Sequence, residues 1–413
     1  MLAIHVIGRI GAFCCHNYRA DSYLYASLGY CVARGDALYR DVWIDKPPLL
    51  MFLNAAAYRL AGLSMTRTVL IPVESAGMLL GYLVVFLLAR SLYGGVAALP
   101  TTVAAVLAMN WFSVFDYTTE GFGLAENYMV ALAAAAVLTY VRAYRRRCWK
   151  TFWLSGLFIG LCLTLKQTAV TVAATIGLHA IGVMLIRRER RWWRFGLAGV
   201  LGAVTAVVPF LVVFAAQGTL RKALADIAGE GYPHLQLFTA FPHMWRDIAA
   251  LCVPLAWIPL GVVAWIEWRR TAAGQRGAVP STSRQVGPAS AELVLLLMWI
   301  AAEWTLVYFL PRRAYHYYVS AGMPVILLSG LFWWGLSRST APPIARLAGW
   351  WVSLAASLLA SLPLVNELVP FSLRRYRSYD RAVDDRNLEE AIEELHTFTP
   401  GSAKYQRGGG AQQ

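Results

Sequence analysis

Apolar runs of about 20 residues, each long enough to cross a hydrocarbon core about 30 Å thick, recur along most of this chain. No other feature restricts the fold as strongly, because each such run reads as one helix across a bilayer. The composition agrees. Of 413 residues, 58% are hydrophobic and only 15% charged, where a soluble domain carries about a quarter of its residues charged. The chain is expected to be an all-α polytopic membrane protein with about 11 transmembrane helices. The predicted spans are Leu2–Cys15, Val69–Ala89, Gly95–Phe112, Gly123–Val141, Phe152–Leu165, Thr168–Leu185, Phe195–Ala216, Ile248–Trp265, Leu293–Leu310, Val319–Leu336 and Leu347–Pro370. The first is short, contains Arg9, and shows no small-residue cleavage site of the kind a signal peptide carries.

Net charge is +14, but the basic residues cluster at the ends of apolar runs, which is the signature of topology rather than of nucleic-acid binding. No basic patch interleaved with stacking aromatics lies outside the spans. Alternate threading puts Arg90, Arg142–Lys150, Arg187–Arg194, Arg269–Arg284 and Arg338–Arg346 on one side. That side holds seventeen lysines and arginines against Glu189 and Glu267, and is read as cytosolic. It shows no glycine-rich phosphate loop, which disfavours a cytosolic nucleotide site. The other side receives the polar opening segment, Asp116–Glu126, Lys166, Gln217–Asp247 and the stretch PRRAYHYY at 311–318.

The opening segment, RADSYLYASLGYCVARGDALYRDVWIDKPPLL from Arg19 to Leu50, places four aspartates and Lys46 beside the first span. Leu24, Leu28, Cys31 and Val32 recur at helical spacing, predicting an amphipathic helix over Asp21–Arg34 that lies along the interface and ends at Gly35. Lys46-Pro47-Pro48 starts a second helix, since proline suits a first helical turn. LLMFLNAAAYRLAG follows and is too short to span. The six cysteines, Cys14, Cys15, Cys31, Cys148, Cys162 and Cys252, show no metal or redox spacing and read as small hydrophobes. TAAGQRGAVPSTSRQVGPAS at 271–290 is a flexible cytosolic linker by composition. The tail after Pro370 is charged, holds one amphipathic helix, and closes on GGGAQQ, which reads as disordered or truncated.

The succession Asp21, Arg34-Gly35 and Asp45-Lys46-Pro47-Pro48 before an apolar helix resembles the first outer loop of GT-C glycosyltransferases. The likeness is to bacterial relatives of protein O-mannosyltransferases and of the lipid A aminoarabinose transferase. TRTVLIPVESAGMLLGYLVVFLLARSLYG is similar to that family's second span, GLAENYMVAL to its acidic fourth-span start, GLCLTLKQTAV to its fifth-to-sixth-span turn, and PRRAYHYYVSAGMPVILL to its late basic span. The ordered set covers about residues 19–335 and is specific although no single motif is. The resemblance implies a GT-C-like transmembrane catalytic domain over 1–370, with the first outer loop at 16–68, and a short extracytoplasmic tail at 371–413. Many relatives carry a folded outer domain where this tail stands. It also implies transfer of a sugar from a polyprenyl-phosphate donor to a lipid, glycan or protein acceptor, with inversion, outside the cytoplasm at the inner (plasma) membrane.

Such a reaction needs a base for the acceptor hydroxyl and positive charge for the departing phosphate. The resemblance assigns the base to Asp21, which also suits a helix N-cap. The family usually has a second acid next to it, where this chain has Ser22. Glu126, near the outer end of its span, is the second catalytic candidate, because ionisable groups inside a membrane are costly and tend to be functional. Lys46, Lys166, Arg312 and Arg313 are candidate phosphate ligands; for Lys46 the competing role is a surface pair with Asp45, and for Lys166 it is snorkelling. His316, Tyr317 and His234 are candidate substrate contacts. No cofactor is implied with certainty; a divalent metal on Asp45 and His234 would have only two ligands, too few to define a site. Glu74, Glu292 and Glu303 read as interhelical polar contacts. The competing reading is a secondary transporter, which would carry midplane charges and two similar halves; a glycan ligase or polymerase is the enzymatic alternative.

Overall fold

The computed structural model describes residues 21–115, 125–187, 192–228, 258–266, 290–309, 317–338 and 381–398, with residue 6 besides. These residues are almost wholly helical. Two helices of the opening segment come first, α1 (Asp21–Arg34) and α2 (Leu49–Leu60). After a 3-10 turn at Arg67–Leu70, the bundle is built from α3 (Ile71–Tyr93), α4 (Gly95–Phe115), α5 (Ala125–Arg146), α6 (Trp149–Leu165), α7 (Val170–Arg187) and α8 (Trp192–Ala216). Then follow α9 (Leu220–Ala228), α10 (Ser290–Phe309), α11 (Tyr317–Arg338) and the tail helix α12 (Arg381–Phe398).

Five helices among the described residues are long and apolar enough to cross a membrane: Arg67–Tyr93, Gln167–Ile186, Trp193–Ala216, Ser290–Val307 and Ser320–Arg338. Gly95–Met109 and Trp149–Leu165 are shorter apolar helices. The expected spans Leu2–Cys15 and Leu347–Pro370 lie outside the described residues, as does most of Ile248–Trp265. A lipid-facing stripe is plain on α8, where Leu197, Val200, Leu201, Val204, Val208 and Val212 are all exposed at helical spacing. In water such a face would be a severe liability; in a bilayer it is the expected surface.

The central pillar is α5. It is rich in alanine and buried along most of its length, with Ala131, Ala133, Ala134, Ala135 and Ala136 among its hidden residues. Small side chains let neighbouring backbones come close, which drives helix association in a membrane where the hydrophobic effect between helices is absent. Helices α3 and α6 flank the pillar, and α11 also touches it. The closest pair is α6 with α8. There Gly156 and Gly160, four residues apart, face Gly199 and Ala203, so that a Cβ added at Gly156 would fall on the carbonyl oxygen of Gly199.

Because α5 carries Glu126 in its first turn and Arg145 in its last, its rise of about 1.5 Å per residue separates these groups by roughly 30 Å, the thickness of a hydrocarbon core. Arg145 forms a two-pronged ion pair with Glu292 at 2.5 and 2.8 Å and donates to the carbonyl of Ser91 at 2.6 Å. Nearby, His179 donates from Nε2 to the carbonyl of Ala291 and accepts at Nδ1 from the Tyr140 hydroxyl, both at 2.7 Å. Glu303 accepts from Thr171 at 2.7 Å and from Trp299 at 3.0 Å, and Glu74 accepts from Asn127 at 2.6 Å. All three glutamates hold helices together as expected.

The opening segment departs from expectation. Helix α1 spans Asp21–Arg34 and closes at Gly35, as the sequence predicts. It does not, however, keep one wetted face. Ser22, Tyr23, Tyr25, Ala26, Ser27, Leu28, Cys31, Val32 and Ala33 are all buried. One side packs on α2, where Gly29 lies against Asn54 and Asn54 donates to the Tyr25 carbonyl at 3.0 Å. The other side is covered by α12. Helix α12, within the charged stretch read as a short tail, therefore packs back against α1.

Candidate functional site

At the α1 end of the bundle, two ion pairs converge. The turn between α6 and α7 is broken by Lys166, whose extended backbone interrupts the helix. Its ammonium group pairs with Glu126 in the first turn of α5, both side chains being buried. Burying two ions is costly unless they meet and are further hydrogen-bonded, so this pair is a deliberate feature of the bundle end. The next residue, Gln167, donates from its amide to the Asp45 carbonyl at 2.7 Å and to the Ile227 carbonyl at 3.3 Å. One polar turn thus ties the pillar, the outer segment and α9 together.

Asp45 and Lys46 form the second pair at 3.1 Å, with side-chain exposures of 30% and 18%. The competing role considered for Lys46 is thus realised in the structure. Partial exposure leaves its ammonium group able to face a ligand while held by Asp45. The backbone here is pinned by Tyr39, whose hydroxyl donates to the Lys46 carbonyl at 2.7 Å. Pro47-Pro48 then leads into α2, with Pro48 at its N-cap.

Several expected site residues lie elsewhere. Asp21 is the first residue of α1, but its side chain is outside the described residues. His234, Arg312, Arg313 and His316 also fall outside them, and Tyr317 is described only as the first backbone position of α11. What the structure brings together is Glu126, Lys166, Asp45 and Lys46.

One cluster escaped the sequence. Arg67 is buried at the foot of α3 and lies over the Tyr23 ring, 3.7 Å from its centroid. It donates to Asp384 of the tail helix at 3.0 and 2.6 Å and to the Ser22 hydroxyl at 3.3 Å. The Tyr23 hydroxyl also donates to Asp384. Burial is the main force holding the Tyr23 hydroxyl protonated well above its ordinary range, so it acts as a donor. A signal for this cluster does exist. Asp384, Leu388 and Ala391 are all buried at helical spacing, so an aspartate stands in the apolar stripe of α12.

Cys31 and Cys162 are buried in the core, as expected of small hydrophobes. The Cys31 sulfur also lies 3.9 Å from His396 Nε2, and Asp36 stands beside both.

With this geometry in hand, known proteins offer a comparison. Residues 45–215 match the family described as dolichyl-phosphate-mannose-protein mannosyltransferase. No curated protein sequence matches the chain significantly. Among solved structures, ArnT from Cupriavidus metallidurans bound to undecaprenyl phosphate is similar, with a TM-score of 0.56 and 15% identity over 94% of this chain and 76% of that one. The chain thus shares the fold of ArnT. The Archaeoglobus fulgidus oligosaccharyltransferase AglB, in complex with an inhibitory peptide and a dolichol-phosphate, superposes over 98% of this chain and 59% of its own, at a TM-score of 0.53 and 14% identity. The arabinosyltransferase EmbB from Mycobacterium smegmatis gives 0.52 and 16% identity over 96% of this chain and 40% of its own. The chain spans about three quarters of ArnT but considerably less of the two larger proteins. Its GT-C resemblance, read first from short motifs, therefore holds at the level of the whole fold.

Proposed function

We propose that this protein is an integral membrane glycosyltransferase that moves a sugar from a polyprenyl-phosphate donor to an acceptor hydroxyl on the extracytoplasmic side. The observation that carries this reading is the joining of Glu126–Lys166 to Asp45–Lys46 through Gln167 at one end of an apolar bundle. Acids and cations from three distant segments gather where a lipid headgroup would lie. Support comes also from the lipid phosphates present in the similar ArnT and AglB structures.

In this reading Asp21 accepts the proton of the acceptor hydroxyl as its oxygen attacks the anomeric carbon. The bond from that carbon to the phosphate oxygen breaks, and polyprenyl phosphate leaves with the electron pair. Attack opposite the leaving group inverts the anomeric centre. Lys46, with Arg312 and Arg313, meets the charge that grows on the phosphate, where fixed cations in a water-poor site act most strongly. Glu126 fixes Lys166 toward the same headgroup. His316, Tyr317 and His234 contact the sugar or acceptor.

The test is transfer by purified protein from a radiolabelled polyprenyl-phosphate sugar. Asp21→Asn is expected to lower turnover by about 10²–10⁴-fold, the range for losing a positioned base, while binding of the lipid donor persists. Undiminished turnover in Asp21→Asn would remove the aspartate from the chemistry. Uptake of free sugar into vesicles without any transfer would replace an enzyme by a transporter.

A further inference from the structure

Away from the ion pairs just described, three side chains of different chemistry meet where the tail helix crosses the outer helix pair. Cys31 Sγ, an Asp36 carboxylate oxygen and His396 Nε2 all lie within 4.8 Å of one another. The measured separations are 3.9 Å from sulfur to Nε2 and 3.8 Å from Nε2 to Asp36 Oδ2. In a tetrahedral zinc centre with bonds of about 2.0–2.3 Å, neighbouring ligand atoms stand roughly 3.4–3.6 Å apart. The two separations made by His396 are thus within about half an ångström of those in a ligand set.

The backbone brings this about. Helix α1 ends with Gly35 at φ 110°, a left-handed conformation suited to glycine. Gly35 N–H donates to the Val32 carbonyl and Asp36 N–H to the Cys31 carbonyl, both at 3.1 Å. This closing turn folds Asp36 back beside Cys31. His396 arrives from the last turn of α12, whose buried stripe seats it on the same face. Cys31 is buried, while the Asp36 and His396 side chains are 33% and 47% exposed. A groove of about 480 Å³ opens beside them, where Glu389, Glu390 and Glu393 stand with Arg34, Arg386 and His396. The three glutamates there outnumber the two arginines and give a cation a way in from solvent.

We propose that Cys31, Asp36 and His396 form a divalent metal site of the zinc class, which fastens the tail helix to the outer helix pair. A thiolate, an imidazole and one carboxylate suit a borderline-soft ion such as Zn²⁺ and exclude the oxygen-only preference of Ca²⁺ and Mg²⁺. A water from the groove takes the fourth position. Asp384 anchors α12 about 12 residues earlier, roughly 18 Å along the helix, so the metal fixes its second end. The site is independent of sugar transfer and stands whether or not the proposed activity does.

The experiment uses the full chain in detergent, stripped with chelator and then equilibrated with Zn²⁺ or Co²⁺. Wild type is expected to retain one zinc per chain by mass spectrometry of the metal after desalting. Its melting temperature should rise with zinc and fall back with chelator, and Co²⁺ should give a thiolate charge-transfer band. Changes around a metal ligand already weaken binding by about 10–100-fold, so His396→Ala and Asp36→Asn should each lose at least that much and the zinc-dependent rise. Both residues are partly exposed, so these variants should melt like wild type without metal. Cys31→Ser should abolish the charge-transfer band. Zinc retention equal to wild type in His396→Ala, or a wild type that neither holds zinc nor is stabilised by it, would overturn the proposal. Equal stabilisation by Mg²⁺ would overturn the assignment of the ion.

Discussion

Glu126 and Lys166 present the sharpest choice between architecture and chemistry, because both are hidden and each holds the other's charge. Removing one member of a buried pair costs about 3–5 kcal/mol, whereas replacing both with apolar groups of similar size is often nearly neutral. Lys166→Met is therefore expected to lower the denaturation midpoint strongly in detergent. Glu126→Leu with Lys166→Met should regain most of that stability and still fail to transfer sugar. Recovered transfer in the double variant would leave the pair a purely structural role. The sequence marks both residues, since each is a lone charge in an apolar run, and a charge there rarely goes unused. It does not show that they touch, because they stand 40 positions apart with a helical hairpin between them. The cation and acid of Asp45–Lys46 are adjacent in the chain and were readable as a pair for that reason.

Among helices, legibility follows distance along the chain in the same way. The bounds of α1 are written locally, in the period of its apolar residues and in Gly35. Its surroundings are not. Leu24, Leu28, Cys31 and Val32 make one stripe, which by itself predicts a helix half in water. The second buried face, with Ser22, Tyr23 and Ala26, is covered by α12 and by Arg67 at the foot of α3. The mixed polarity of that face hid the match: Tyr23 and Ser22 meet a carboxylate and a guanidinium rather than lipid. Asp384→Ala should therefore destabilise the outer segment by about 3–5 kcal/mol, as for any buried pair broken on one side. Because the Ser22 hydroxyl already stands 3.3 Å from Arg67, Ser22→Asp in that background is expected to restore part of the loss. Protection of α1 amides from hydrogen exchange reads both effects. If Asp384→Ala leaves that protection unchanged, the tail helix is not what holds α1.

At the scale of the molecule, the two ends of α5 differ in kind. One end gathers Glu126, Lys166, Asp45 and Lys46; the other carries Arg145, Arg146 and Arg147. Counting basic residues loop by loop assigns the second end to the cytosol, and that assignment predicts a labelling pattern. In a background otherwise without cysteine, Arg40→Cys, where the side chain is 59% exposed, should react with an impermeant maleimide on intact cells. Arg147→Cys should react only after the membrane is opened. The reverse pattern would turn the proposed site toward the cytosol.

The order of synthesis gives the Arg67–Asp384 contact a further meaning. These partners are 317 positions apart, so a ribosome has threaded nearly the whole bundle before the aspartate emerges. Until then Arg67 lacks its carboxylate partner. Completion of the outer helix pair is thus a late, post-insertion event, and a nascent chain halted before Asp384 would expose an unfinished headpiece to the proteases that survey the membrane.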